Sequence, residues 1–191
     1  LAILFVRVWS YIDACQSKNY ALAFIFMVGL YIFMDALFVR CFLHKSQNVR
    51  TFKNTVFLFY LVYVTVPYVW HLFMQSYMGI RRKRILLFAE AIPYLILLSL
   101  VLLSSSNHIL WYIRHDGTYL RGPIFSIFSV LNLFYYVFAF IQTIGILMQN
   151  NTKGFRYLLK SSLFSAIPLF GILVNTYVIP FYGVYPFQPY C

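Results

Sequence analysis

Charge is scarce in this sequence, and acid scarcer still. Asp and Glu together number four, and charged side chains make up 10% of the chain. With 62% hydrophobic residues and a mean hydropathy of +0.78, that scarcity excludes an ordinary soluble domain. Cysteine is almost as rare: Cys15, Cys41 and Cys191 show no metal-type spacing and are too few for a disulfide framework. There is no phosphate-binding Gly-rich loop, no nucleophile elbow, no HExxH and no CxxC. Ser104 to Ser106 lie beside His108, but one loop holding both does not make a nucleophile and its base. The expectation is a protein that is not an enzyme, with no catalytic residues, no metal and no cofactor. No cleavable signal is legible either, because the chain opens on Leu1 with no basic region ahead of an apolar one, and a fragment of something longer is expected.

What the chain has instead is a series of apolar runs. A bilayer core takes roughly 20 apolar residues per helical span, and five runs meet that length: about Tyr20 to Phe42, Thr55 to Tyr77, Ile85 to Leu103, Ile124 to Met148 and Tyr157 to Pro180. A sixth, Leu1 to Ile12, is too short to cross and reads as a partial first span. Helices apolar all round are spans and not surface helices. The fold class expected is all-α, a polytopic transmembrane bundle forming a single domain over residues 1–191, in a multi-pass arrangement in a bacterial cytoplasmic membrane.

Fifteen Lys and Arg give a formal net charge of +11. They fall between the apolar runs, so the expected partner is the anionic lipid headgroup layer and not nucleic acid. Counted in alternate connectors, one side holds Lys18, Arg81, Arg82, Lys83, Arg84, Lys153, Arg156 and Lys160, and the other holds Arg40, Lys45, Arg50, Lys53, Arg114 and Arg121. The first side is assigned to the cytoplasm, because compact basic clusters against helix ends carry the orientation bias. The connector from Ser104 to Pro123 then faces outward.

That connector reads SSSNHILWYIRHDGTYLRGP. Asp116-Gly117 is a pair suited to a two-residue hairpin turn, since both central positions want positive φ. LWYIRH and TYLR flank it with aromatic and β-branched residues, and Gly122-Pro123 closes the second strand and opens the next helix. A lone hairpin is marginal in water, so it is expected to pack on the helix ends as a lid. The alternative is an ordinary loop whose Trp111, Tyr112 and Tyr119 form an interfacial aromatic belt.

The run Asn107, Trp111-Tyr112-Ile113, Asp116-Gly117, Tyr119, Arg121-Gly122-Pro123 resembles the loop between the fourth and fifth helices of the seven-helix N-terminal sensor region of bacterial diguanylate cyclases and histidine kinases. Asp35 late in the second span and the run Ile167 to Ile172 agree with that resemblance. It implies a truncated sensor without its output domain, an unidentified small-molecule ligand, and room for a homodimer.

An ionisable residue inside a span is a functional hypothesis by default. Three stand out: Asp35, His71 and Glu90. His71 and Glu90 lie at similar depth near one short turn, so an intramembrane pair is expected, either a proton relay or pH sensor or a structural pair. Asp35, Asn132 and Asn175 share the outer half, beneath the hairpin. With Trp111, Tyr119 and Arg121 they are the candidate ligand-binding residues, and interhelical hydrogen bonding is the competing explanation. Pro67, Pro93 and Pro168 fall inside spans, where they free carbonyls. Two function classes follow: a sensory input module that shifts between two arrangements, or a substrate-binding membrane subunit or small transporter using Asp35 and Glu90.

Overall fold

The structure, a computed structural model, describes residues 15–43, 48–78, 84–115 and 117–149. Four helices and one hairpin follow in order: α1 (Cys15–Leu43), α2 (Val49–Tyr77), α3 (Arg84–Asn107), β1 (Trp111–Ile113), β2 (Tyr119–Arg121) and α4 (Phe125–Gln149). Each helix contains a segment long and apolar enough to cross a membrane, namely Lys18–Phe42, Val49–Tyr77, Leu86–Asn107 and Phe125–Gly145. The count among described residues is therefore four spans and not five. The runs Leu1 to Ile12 and Tyr157 to Pro180 lie outside the described residues. By internal contacts the chain divides into two compact units, Leu1–Asn132 and Leu133–Cys191.

α1, α2 and α3 outrun the apolar runs that announce them, while α4 is its run displaced by one residue. α2 starts at Val49 because Asn48 caps it, its side-chain oxygen accepting from the Thr51 amide at 3.0 Å. α3 continues to Asn107 and stops where His108 takes φ 57°, the left-handed conformation that ends many helices. Pro123 sits in the turn ahead of α4 and not at its first position; the Phe125 amide donates to the Gly122 carbonyl at 3.2 Å across it.

In the first unit, α1 and α2 pack antiparallel through aromatic rings. Phe24 meets Trp70 at 4.7 Å between centroids, Tyr31 meets Phe59 at 5.6 Å, and Phe38 meets Phe59 at 5.2 Å. Met34, Val62 and Val66 fill the space between them. Edge and tilted ring pairs of this kind stabilise beyond their buried area. α2 and α3 meet lower down, where Tyr68 stacks on Tyr94 at 4.6 Å. The outward faces are apolar too: Phe26 is 68% exposed and Phe88 75%, which suits lipid and not water.

In the second unit, the described part of α4 stacks Phe134 on Phe138 at 5.5 Å, with Tyr135, Tyr136, Ala139 and Thr143 buried. The Thr143 hydroxyl donates to the Ala139 carbonyl at 2.8 Å, satisfying a group that lipid would leave costly.

Candidate functional site

The hairpin is the feature that gathers the first unit's polar groups. β1 and β2 pair antiparallel with Trp111 opposite Arg121, Tyr112 opposite Leu120 and Ile113 opposite Tyr119. The ladder continues to Arg114, whose amide donates to the Thr118 carbonyl at 2.9 Å, and Gly117 donates to the Arg114 carbonyl at 2.9 Å. Three residues, positions 115–117, therefore connect the strands, and not the two-residue Asp116-Gly117 turn expected. Gly117 has φ 78°, the positive-φ position that closes such three-residue loops. Asp116 itself lies outside the described residues.

Two devices hold the hairpin down. Ser104, in the last turn of α3 and fully buried, accepts with its hydroxyl oxygen from the amides of Leu110 at 2.9 Å and Trp111 at 3.2 Å. The Gly122 amide donates to the Leu110 carbonyl at 2.7 Å, and that approach requires glycine. A β-carbon there would stand 2.1 Å from the Ile109 carbonyl oxygen.

Antiparallel pairing puts Trp111, Tyr119 and Arg121 on one face, and that face looks into the helices. Trp111 is fully buried and Tyr119 is 5% exposed. Trp111 stacks on Tyr60 of α2, with 6.3 Å between centroids and 10° between planes. The Tyr60 and Tyr119 hydroxyls are hydrogen-bonded to each other across 59 residues of sequence. Phe38 of α1 meets the Tyr119 ring edge-on at 5.7 Å. Arg121 lies half-buried with its guanidinium 4.5 Å from the centre of the Phe125 ring, a cation–π contact. Burial pushes the Tyr119 phenol up to about 12, while the Tyr60 hydrogen bond and the Arg121 charge pull it down.

Two polar atoms of this face, Trp111 Nε1 and Arg121 Nε, are buried without a hydrogen-bond partner, as are Ser129 Oγ and Asn132 Oδ1 of α4. Ser129 and Asn132 are 3% and 1% exposed and lie one turn apart on α4, below Phe125. Asn132 spends its amide elsewhere, its Nδ2 donating to the Tyr63 carbonyl at 3.4 Å. That carbonyl is the one left without an intrahelical donor by Pro67, four residues on. The proline thus creates an acceptor that a second helix answers.

Comparisons with protein-family models, with curated proteins and with solved structures find no match to this chain.

Of the other candidates, Asp35 is half-buried on α1, and no hydrogen bond or ion pair joins it to Asn132 among the described residues. Asn175 lies outside the described residues. His71 and Glu90 do meet, His71 Nε2 standing 3.3 Å from Glu90 Oε2. They have a third member that sequence reasoning missed. Gln75 Nε2 lies 2.8 Å from His71 Nε2 and donates to Glu90 Oε2 at 2.7 Å. Its spacing from His71, one helical turn, was the signal available. An amide nitrogen only donates, so His71 Nε2 must accept, and the triad suits a neutral imidazole and a carboxylate sharing two amide protons. A proton on Nε2 would set two donors against each other, replacing the Gln75 bond with a His71–Glu90 ion pair. Tyr60, one of the tyrosines the sequence offered as cavity-lining or packing residues, packs against the hairpin, and the role of Ser104 as an acceptor for two hairpin amides had no signal in the sequence. No group of three or more His, Cys, Asp or Glu that could hold a metal is found among the described residues.

Proposed function

We propose that this chain is a membrane-embedded sensory input region, in a bacterial cytoplasmic membrane, whose hairpin responds to a small ligand and whose helices carry the response to an output domain. The observation that carries the reading is the seating of the hairpin. Its inner face is closed by the Tyr60–Tyr119 bond and the Trp111–Tyr60 stack, yet it leaves Trp111 Nε1 and Arg121 Nε buried and unsatisfied. Each such atom costs roughly 1–3 kcal/mol, so the seating carries a polar cost that a ligand can relieve. A ligand that satisfies them favours one hairpin position over another, which is the differential binding a switch requires. Resemblance of the 107–123 run to sensor regions of diguanylate cyclases and histidine kinases supports the same reading, with the hairpin on the non-cytosolic side.

The test uses His115, which is exposed at the tip of the hairpin. In a background with Cys15, Cys41 and Cys191 replaced by Ser, His115→Cys should react with a membrane-impermeant maleimide added outside intact cells. Reaction only after the cytosolic side is opened would remove the reading.

The His71–Gln75–Glu90 triad favours a second reading, a small transporter or substrate-binding subunit in which these residues pass the coupling proton. It lies about 16 Å along α2 from Tyr60, at a rise of about 1.5 Å per residue. Substrate accumulation by vesicles containing this chain alone would select it.

A further inference from the structure

We infer that the inner face of the hairpin is an oxyanion site, taking the carboxylate of a small apolar acid between Trp111 and Arg121. The inference rests on the reading of the hairpin as a ligand-responsive element and specifies what it would recognise. The two atoms that decide it belong to cross-strand neighbours, since Trp111 pairs with Arg121. Trp111 Nε1 and Arg121 Nε are both buried and both lack a partner. An indole N–H and a guanidinium N–H are donors and nothing else, so no cation and no bare acceptor-seeking donor can satisfy them. Two buried donors on paired residues, one of them charged, fit a carboxylate.

The surroundings point the same way. Arg121 has the Phe125 ring and not an acid as its near neighbour, and it makes no ion pair among the described residues. The same end of the first unit carries Arg40, Arg50, Lys53 and Arg114, with Asp35 its one acid among the described residues. A field of that sign concentrates anions. Beside Trp111, Tyr60 packs edge-on against Phe125 and Phe128, with 6.2 and 5.9 Å between centroids. The apolar body of such an acid would meet these rings. On α4, Ser129 Oγ and Asn132 Oδ1 are likewise buried without a partner. The oxyanion can belong to a free acid or to an anionic lipid headgroup, and the experiment separates the two.

The full chain is placed in nanodiscs of phosphatidylcholine, and radiolabelled benzoate is titrated by equilibrium dialysis against empty discs. Saturable binding is expected, weakened at least tenfold by Arg121→Gln and less by Arg121→Lys, which keeps the charge. Trp111→Phe, which keeps the stacking ring, should weaken it several-fold. Neutral benzamide and cationic benzylamine should not compete. In discs containing phosphatidylglycerol, benzoate binding that falls in an Arg121-dependent way assigns the site to the lipid headgroup and retains its oxyanion chemistry. Benzoate binding unchanged by Arg121→Gln overturns the inference, as does no binding in either lipid with the same thermal stability in both. Binding of benzamide or benzylamine in place of benzoate overturns the oxyanion class while the ligand-responsive hairpin stands. Labelling of His115→Cys from the cytosolic side alone removes that hairpin reading whatever benzoate does.

Discussion

Replacing Gly122 with Ala should unseat the hairpin, and the structure sets the size of the effect. The added carbon would lie 2.1 Å from the Ile109 carbonyl oxygen, 2.5 Å from its carbonyl carbon and 2.8 Å from the His108 oxygen. Ordinary contact begins near about 3.5 Å, so the strand must retreat by roughly 1.4 Å. The obstructing atoms are backbone, and no rotamer can relieve them. Retreat by that much carries the 2.7 Å bond from the Gly122 amide to the Leu110 carbonyl beyond hydrogen-bond range. Leaving that pair unmade in a buried place costs about 1–3 kcal/mol, and loosening Trp111 from Tyr60 adds about 1 kcal/mol more. A total of roughly 2–4 kcal/mol corresponds to about a 30- to 1,000-fold rise in the open hairpin population, at about 1.4 kcal/mol per tenfold. Gly117 provides the comparison. Its φ of 78° makes Ala unfavourable there by about 1–2 kcal/mol. Hydrogen exchange of peptides covering residues 108–125, in detergent or nanodiscs, reads both variants directly. Protection should fall clearly more in Gly122→Ala than in Gly117→Ala. Equal or greater loss in the Gly117 variant would refute the close approach of Gly122 to Ile109.

Ser104→Ala strips one acceptor from two buried amides, Leu110 and Trp111, and should destabilise the chain by about 2 kcal/mol or more, read by thermal unfolding. Gln75→Leu removes the donor that Glu90 Oε2 accepts from at 2.7 Å; a loss of about 1–3 kcal/mol is expected, and Glu90→Gln in the same background should recover part of it. Alkaline pH should loosen the hairpin through Tyr119. Its phenol is raised to about 12 in the folded chain against about 10 unfolded, so the stabilisation is complete below about pH 10 and is lost as pH rises toward about 12. Tyr119→Phe should flatten that part of the stability–pH curve, and a curve of unchanged shape would contradict the burial of the phenol.

The sequence determined the local features. Apolar runs near 20 residues long specified where helices form, aromatic and β-branched runs around Asp116-Gly117 specified a hairpin, and a histidine and a carboxylate at matched depth specified a pair. Each of these depends on composition within a few turns of chain. Tertiary structure decided the rest. Helices that are apolar all round show no inner face in their sequence, so the partner of Tyr60, the donor pairing of Gln75 and the answer of Asn132 to the carbonyl freed by Pro67 depend on helix rotation. The loop length was settled in the same way. Ser104 and Gly122 pin the two strands where they leave and join the helices, and pairing Trp111 with Arg121 leaves three residues to turn. Contacts between groups 59 or 69 residues apart are set by packing of whole helices, which no local pattern encodes.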